Sequence, residues 1–311
     1  MKGRMTDRVA RGARFLLEAQ DGDGFWRDYA MPPGASTQWV TAVCGFALDV
    51  AGVAARHGLD ALRASCRATG WGYNASVATD ADSTAWALRW FARAGVVPPV
   101  AAIDCLAAYL DGDGGARTFT RDPRYGRWTS PHVDVTAMLG LALVEAGAPC
   151  ELVERVRGWL LAQRNPSGVW SSFWWTFDAY ATARVLELLA ATGGIPGDVR
   201  DAAVSWAVEA RPASARSAME AAHSLIAART LGLAPAPWIA ALVEQQCADG
   251  GWPASRVLVL PAQGAPAADE PVFADDRRAM STAMALIALE APSVRRSGSG
   301  GPEGGLYGEA A

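Results

Sequence analysis

The sequence has almost no lysine: Lys2 is the single one, so every other fixed cation is an arginine. Schiff-base chemistry on a lysine amine is thereby excluded away from the N-terminus, whereas the planar guanidinium suits bidentate contact with carboxylate or phosphate. An excess of positive charge is missing as well. With 28 Lys+Arg against 32 Asp+Glu and a formal charge of −4, the chain carries no electrostatic footprint for nucleic acid. No run of about 18 uninterrupted apolar residues exists, and the most apolar stretch, beginning at Trp39, is broken by Asp49. The opening MKGRMTDRVARG has no signal-peptide core, so the expectation is a soluble, cytoplasmic protein without a transmembrane segment. A disulfide framework is absent too: Cys44, Cys66, Cys105, Cys150 and Cys247 are odd in number, far apart and mostly inside apolar runs, and read as reduced.

What is present is a chain of 311 residues, 51% hydrophobic and 19% charged, long enough to bury a sizeable core and on the folded side of the disorder boundary. Thirteen tryptophans are its compositional outlier. Internal repetition organises it. A Thr-Ala pair followed by an apolar helical run recurs at Thr41, Thr84, Thr136, Thr182 and Thr282, and a sixth copy around Ala221 has Ala for Thr. These runs are Ala-rich and nearly uncharged, as helices buried on several sides should be. A second set alternates with them: VARGARFLLEA, DALRASCRA, AIDCLAAYL, LVERVRGWLLA, DAAVSWAVEA and WIAALVEQQ, each with apolar residues at spacings of three and four and Arg or Glu on the other face. Six buried and six half-exposed helices, with no strand-period alternation, predict an all-α fold: a closed (α/α)6 barrel of six helical hairpins. One domain is expected over residues 1–291, followed by a mobile Gly-rich tail over 292–311.

The connections repeat too. QDGDGFW ends at Trp26, QRNPSGVW at Trp170 and QCADGGW at Trp252, with degenerate forms at Trp71 and Trp128. Gln can satisfy open backbone groups at a neighbouring helix end, Gly makes the turn, and Trp seals the junction, so a structural role is favoured for these rings.

RGARFLLEAQDGDGFW and RVRGWLLAQRNPSGVW resemble the repeat of the squalene–hopene and oxidosqualene cyclase family, over essentially residues 5–291. The segment TDADSTAWALRWF is similar to the Asp-x-Asp-Asp-Thr-Ala motif of class II terpene cyclases, matching at Asp80, Asp82, Thr84 and Ala85, with Ser83 where that motif has a further Asp. The resemblance implies a cyclase that protonates an isoprenoid (a prenyl diphosphate, polyene or epoxide), with Asp82 as general acid. Those larger relatives have two helical domains, so the mouth of a lone barrel would need a second copy, a partner or the 253–276 loop to exclude water.

Launching a carbocation requires a neutral, dry carboxylic acid whose conjugate base is stabilised as the proton leaves. Asp80 and Asp82 at one helix start would oppose ionising together and can hold one shared proton, with Ser83 and Thr84 available to bond the remaining lone pairs. The competing reading is a routine helix cap, and Asp134 stands at the equivalent place in the next repeat. His132 would tune the acid from the neighbouring helix, as a histidine does in hopene cyclases. Trp39, Tyr73, Trp86, Trp90, Trp128, Trp174, Trp175, Phe177 and Tyr180 fall near inner-helix starts, where aromatic faces can stabilise a cation or simply pack. With Asp134, all of these but Trp90 form the candidate substrate contacts. Arg117, Arg121, Arg124 and Arg127 recur in one loop at a spacing that would grip a diphosphate or line a solvated surface. No cofactor is expected, Mg²⁺ entering only with a diphosphate substrate. The DGDG segments lack the later ligands of a calcium loop, and no Asp-x-Cys zinc pattern is present. A non-catalytic module binding an isoprenoid or a protein on the same barrel is the alternative.

Overall fold

A computed structural model describes residues 2–209, 215–266 and 269–290; the expected tail over 292–311 lies outside them. Twelve α-helices are formed by these residues. The six Thr-Ala runs, with the Ala221 copy, become α2 (Gln38–Val50), α4 (Ala81–Arg93), α6 (Val133–Glu145), α8 (Ala179–Ala191), α10 (Ala218–Thr230) and α12 (Ala279–Glu290). Each packs on the next, and α12 returns to α2, so the inner ring closes. The amphipathic set becomes α1 (Lys2–Ala19), α3 (Arg56–Ala64), α5 (Ala102–Ala107), α7 (Cys150–Ala162), α9 (Gly197–Glu209) and α11 (Ala236–Glu244), each laid against the inner ring. The two kinds of helix follow from burial: Ala and Gly let inner helices approach on both sides, while outer helices keep Arg and Glu in water. At Gly45 a Cβ would sit 2.1 Å from the Trp90 ring, so only glycine admits that indole between α2 and α4.

The repeat residues lock the two rings together. Trp26, Trp71, Trp170 and Trp252 donate their indole N–H to Leu16 O, Leu62 O, Leu160 O and Leu242 O, at 2.6–2.7 Å, closing the ends of outer helices α1, α3, α7 and α11. The main chain of each then meets the motif threonine of the following inner helix: the N–H groups of Trp26, Trp71, Trp170 and Trp252 donate to the hydroxyls of Thr41, Thr84, Thr182 and Thr282. Gln246 ties the ring's ends by donating to Arg8 O at 2.9 Å. Thr182→Val should therefore cost about 1–3 kcal/mol in urea unfolding, because the buried Trp170 N–H and C=O both lose their partner.

Among the described residues, strands depart from the all-helical expectation at the barrel mouth. β1 (Asp28–Met31) pairs antiparallel with β2 (Gly34–Ser36), and β3 (Arg256–Val259) with β4 (Val272–Ala274). Three- and four-residue strands are too short to show a period in the sequence. Both hairpins are anchored on the start of α12: Asp28 accepts from Ala279 N at 2.8 Å, and Asp275 accepts from Ser281 N and Ser255 N, each at 2.6 Å. Among the described residues no helix is long and apolar enough to cross a membrane, and all five cysteines are free.

Candidate active site

Two residues before its motif threonine, each of four inner helices places a side chain in its first turn that projects into the barrel: Trp39 on α2, Asp82 on α4, Asp134 on α6 and Tyr180 on α8. All four line a cavity of about 230 Å³ at the mouth, where the inner helices begin. The repeat thus supplies a wall residue from each of these four hairpins, and their chemistry differs from helix to helix.

Three carboxyls reach this wall, in different states. Asp80 caps α4: its two oxygens accept from Ser83 N and the Ser83 hydroxyl, each at 2.7 Å. Burial pushes its pKa up to about 6, with the Ser83 bonds acting in the opposite direction. Asp134 is held by backbone: Oδ2 accepts from Phe173 N at 3.0 Å and Trp174 N at 2.9 Å, and Oδ1 from Val135 N at 3.1 Å. Burial raises its pKa and those N–H groups lower it. Asp82 accepts no backbone N–H. Burial, followed by the like charges of Asp80 and Asp134, drives its pKa well above the usual carboxylate range, while Trp39 and the Arg184 charge pull the other way. The Trp39 indole N–H, otherwise without a partner, faces this carboxyl. The arrangement favours the protonated form at Asp82, the one of the three that no backbone N–H anchors among the described residues.

The remaining wall is aromatic. Trp39 contacts Tyr29, Tyr73 and Trp175 at centroid distances of 5.7, 6.3 and 6.0 Å; Trp175 stacks on Tyr180 at 4.7 Å, and Trp128 meets Trp174 at 5.3 Å. Tyr73, Trp128, Trp174 and Trp175 line the cavity with Phe119, which sequence reasoning missed. The cover comes from the chain itself. Leu258 and Leu260 of the 253–276 segment line the cavity, Val259 N donates to Trp174 O at 2.8 Å, and Thr176 N donates to Val257 O at 3.0 Å. A 3₁₀ turn, Pro123–Thr129, joins from the other side, with the Trp128 indole donating to Pro261 O at 2.8 Å and Arg127 N to Gln263 O at 2.8 Å.

Several candidates are placed elsewhere. The Thr84 hydroxyl bonds Trp71, not a carboxyl, because the repeat uses it as a lock. Ser83 does line the cavity, but its hydroxyl bonds Asp80, and no hydrogen bond joins Asp80 to Asp82 among the described residues, so their coupling is through space rather than a shared proton. His132 does not reach the acid: Nε2 pairs with Arg127 O at 2.9 Å, the ring stacks on Phe173 at 3.4 Å, and burial takes its pKa down to about 4. Trp86 lies one helical turn below Asp82, closed off against Phe46; Trp90 faces the opposite end of α4, donating to Asp49 at 2.8 Å. Phe177 turns from the cavity onto Trp175 and His223. The arginine loop makes no diphosphate cradle. Arg121 pairs with Asp111, Arg124 with Asp122 and Arg127 with Glu270, and Arg117 also goes to Asp111. His223 and Arg184, both buried beneath Tyr180, gave no sequence signal beyond their apolar helices.

Compared with solved structures, the chain superposes on type II terpene cyclase MstE from Scytonema with a TM-score of 0.80 and 24% identity, over 93% of this chain and 98% of that one. It shares the fold of that cyclase. A protein from Actinoplanes is 28% identical, with a TM-score of 0.75 over 92% of this chain and 98% of that one. The ent-copalyl diphosphate synthase from Streptomyces platensis matches over 81% of this chain and 50% of its own, with a TM-score of 0.62 and 21% identity. No protein-family model and no curated relative matches.

Proposed function

We propose that the protein is a class II terpene-cyclase-like enzyme that protonates an apolar isoprenoid in the mouth cavity, with Asp82 as general acid. The observation that carries this reading is the state of Asp82: a carboxyl with raised pKa, accepting no backbone N–H, on the wall of an aromatic cavity. MstE, whose fold the chain shares, has been solved with geranylgeranyl dihydroxybenzoate as substrate and merosterolic acid A as product, which supports an isoprenoid ligand here.

In this scheme the Asp82 proton adds to the terminal alkene, whose π electrons form the new C–H bond and leave a tertiary cation. The next alkene closes a ring on that cation, and the final cation loses a proton. One proton enters and one leaves, so the sum requires no redox cofactor. Trp39 N–H and the buried Arg184 stabilise the Asp82 carboxylate while it persists, and the faces of Trp39, Trp175 and Tyr180 stabilise the travelling charge. A cavity of about 230 Å³ equals about eight water-sized volumes, room for the reacting isoprene units with the rest of the chain at the mouth.

Incubation with linear prenyl alcohols and diphosphates in D₂O tests this by mass spectrometry. The expected product is a cyclic isomer carrying one non-exchangeable deuterium at the protonated carbon. Unchanged substrate, or a cyclic product without deuterium, would remove the general-acid mechanism; binding without turnover would leave a binding module.

A further inference from the structure

Building on the cyclase reading, we infer that the substrate's head group is uncharged and that prenyl diphosphates are poorly accepted. The inference follows from the charges that the cavity and its rim present. Asp80, Asp82 and Asp134 contribute carboxyls to the wall, and among the described residues lining the cavity there is no arginine, lysine or histidine. Met31, Pro32, Pro33, Val77, Leu258 and Leu260 add only apolar surface to the lining. A diphosphate entering here meets like charge inside and nothing to replace its hydration at the edge.

Cations in the neighbourhood are already committed. On the loop beside the mouth, Arg117 and Arg121 share Asp111, Arg124 chelates Asp122, and Arg127 spans to Glu270 and to Ala262 O. Arg67 lies behind the 72–79 segment with Nη1 donating to Val77 O at 2.7 Å, while its Nε and Nη2 are sealed from both solvent and cavity. Arg184 sits beneath Tyr180, paired with Glu187 at 2.6 Å, its other nitrogens equally sealed. Three inner-helix N-termini, the other receptors for phosphate in a fold of this kind, hold carboxylates of the chain itself: Asp80 on α4, Asp134 on α6 and Asp28 on α12. The loop arginines and Arg184 therefore face carboxylates of the chain itself, and Arg67 is turned onto a main-chain carbonyl rather than toward the cavity.

Paired ligands test this. Farnesol and farnesyl diphosphate, then geranylgeraniol and its diphosphate, are titrated into the full-length protein by the quenching of its 13 tryptophans, with products read by mass spectrometry. The alcohol should bind about tenfold or more tightly than its diphosphate, the gap narrowing in high salt as like-charge repulsion is screened. Arg124→Gln and Arg127→Gln should leave both affinities within about twofold, since these side chains face Asp122 and Glu270. Equal or tighter binding of the diphosphate, or its selective loss in either arginine variant, would overturn the inference while leaving the cyclase reading intact. An alcohol that binds selectively but is never cyclised supports the head-group preference and refutes the cyclase. Failure of every ligand to bind refutes both.

Discussion

Asp82→Asn is expected to bind substrate as the native protein does, to lose about 10³-fold or more in turnover, and to unfold at an equal or higher temperature at pH 7. The loss of rate follows because an amide cannot deliver the proton that begins the reaction. The gain in stability follows from linkage. Burial and two neighbouring carboxyls raise the Asp82 pKa in the folded state. The native protein therefore binds a proton that the unfolded chain releases above its ordinary carboxylate pKa. Stability associated with this group is complete below that value and falls as pH rises toward the folded pKa. Asparagine removes the penalty, so native and variant melting curves should converge near pH 4 and separate as pH increases. A capping role predicts otherwise: Asn, itself a good cap, would be near neutral with no separation that grows with pH, and Ala would lose about 1 kcal/mol. Thermal melts across that pH range, with ligand titration, distinguish the two. A variant that cyclises normally, or melts lower than native at pH 7, would exclude Asp82 as the acid.

The barrel was legible because its information is local and repeated. Threonine, alanine and an apolar run mark each inner helix; Arg and Glu on one face mark each outer one; and the Gln-to-Trp connections sit where the rings are locked. What could not be read was the traffic across the mouth. Leu258, Leu260, Phe119 and Pro33 meet in one cavity although up to 227 residues separate them, and their spacing carries no trace of that meeting. His132 shows the reverse error. Its position next to the helix that carries Asp82 is real, but the ring's nearest satisfactions are Phe173 and the Arg127 carbonyl. By spacing the arginines read as a phosphate grip or a solvated surface, and only the fold reveals the carboxylates that face them. Since unrelated activities share single folds, the likeness to MstE leaves the chemistry to be argued from the carboxyls.

The sharpest separation lies between two aspartates that the sequence presents as equals. Asp82-Ser-Thr-Ala and Asp134-Val-Thr-Ala occupy the same place in successive repeats, yet Asp134→Ala should destabilise the fold by about 3–5 kcal/mol, against a neutral or stabilising change at Asp82. Asp134 accepts three backbone N–H groups, from Val135, Phe173 and Trp174, and alanine leaves those donors without a partner in a dry wall. Asn at this position retains one acceptor oxygen but turns an NH₂ toward a donor, so an intermediate loss is expected. Because Phe173 and Trp174 hold the 172–178 segment against α6, and Trp174 O accepts from Val259 N of the covering hairpin, the same substitution should loosen the cover. Urea unfolding gives the first quantity; hydrogen exchange at the Phe173, Trp174 and Val259 amides gives the second. Protection of those amides unchanged in Asp134→Ala would show that the segment is held by its aromatic contacts alone. Loss of protection there, with native protection kept at α10 and α12, would assign Asp134 to building the wall against which Asp82 acts.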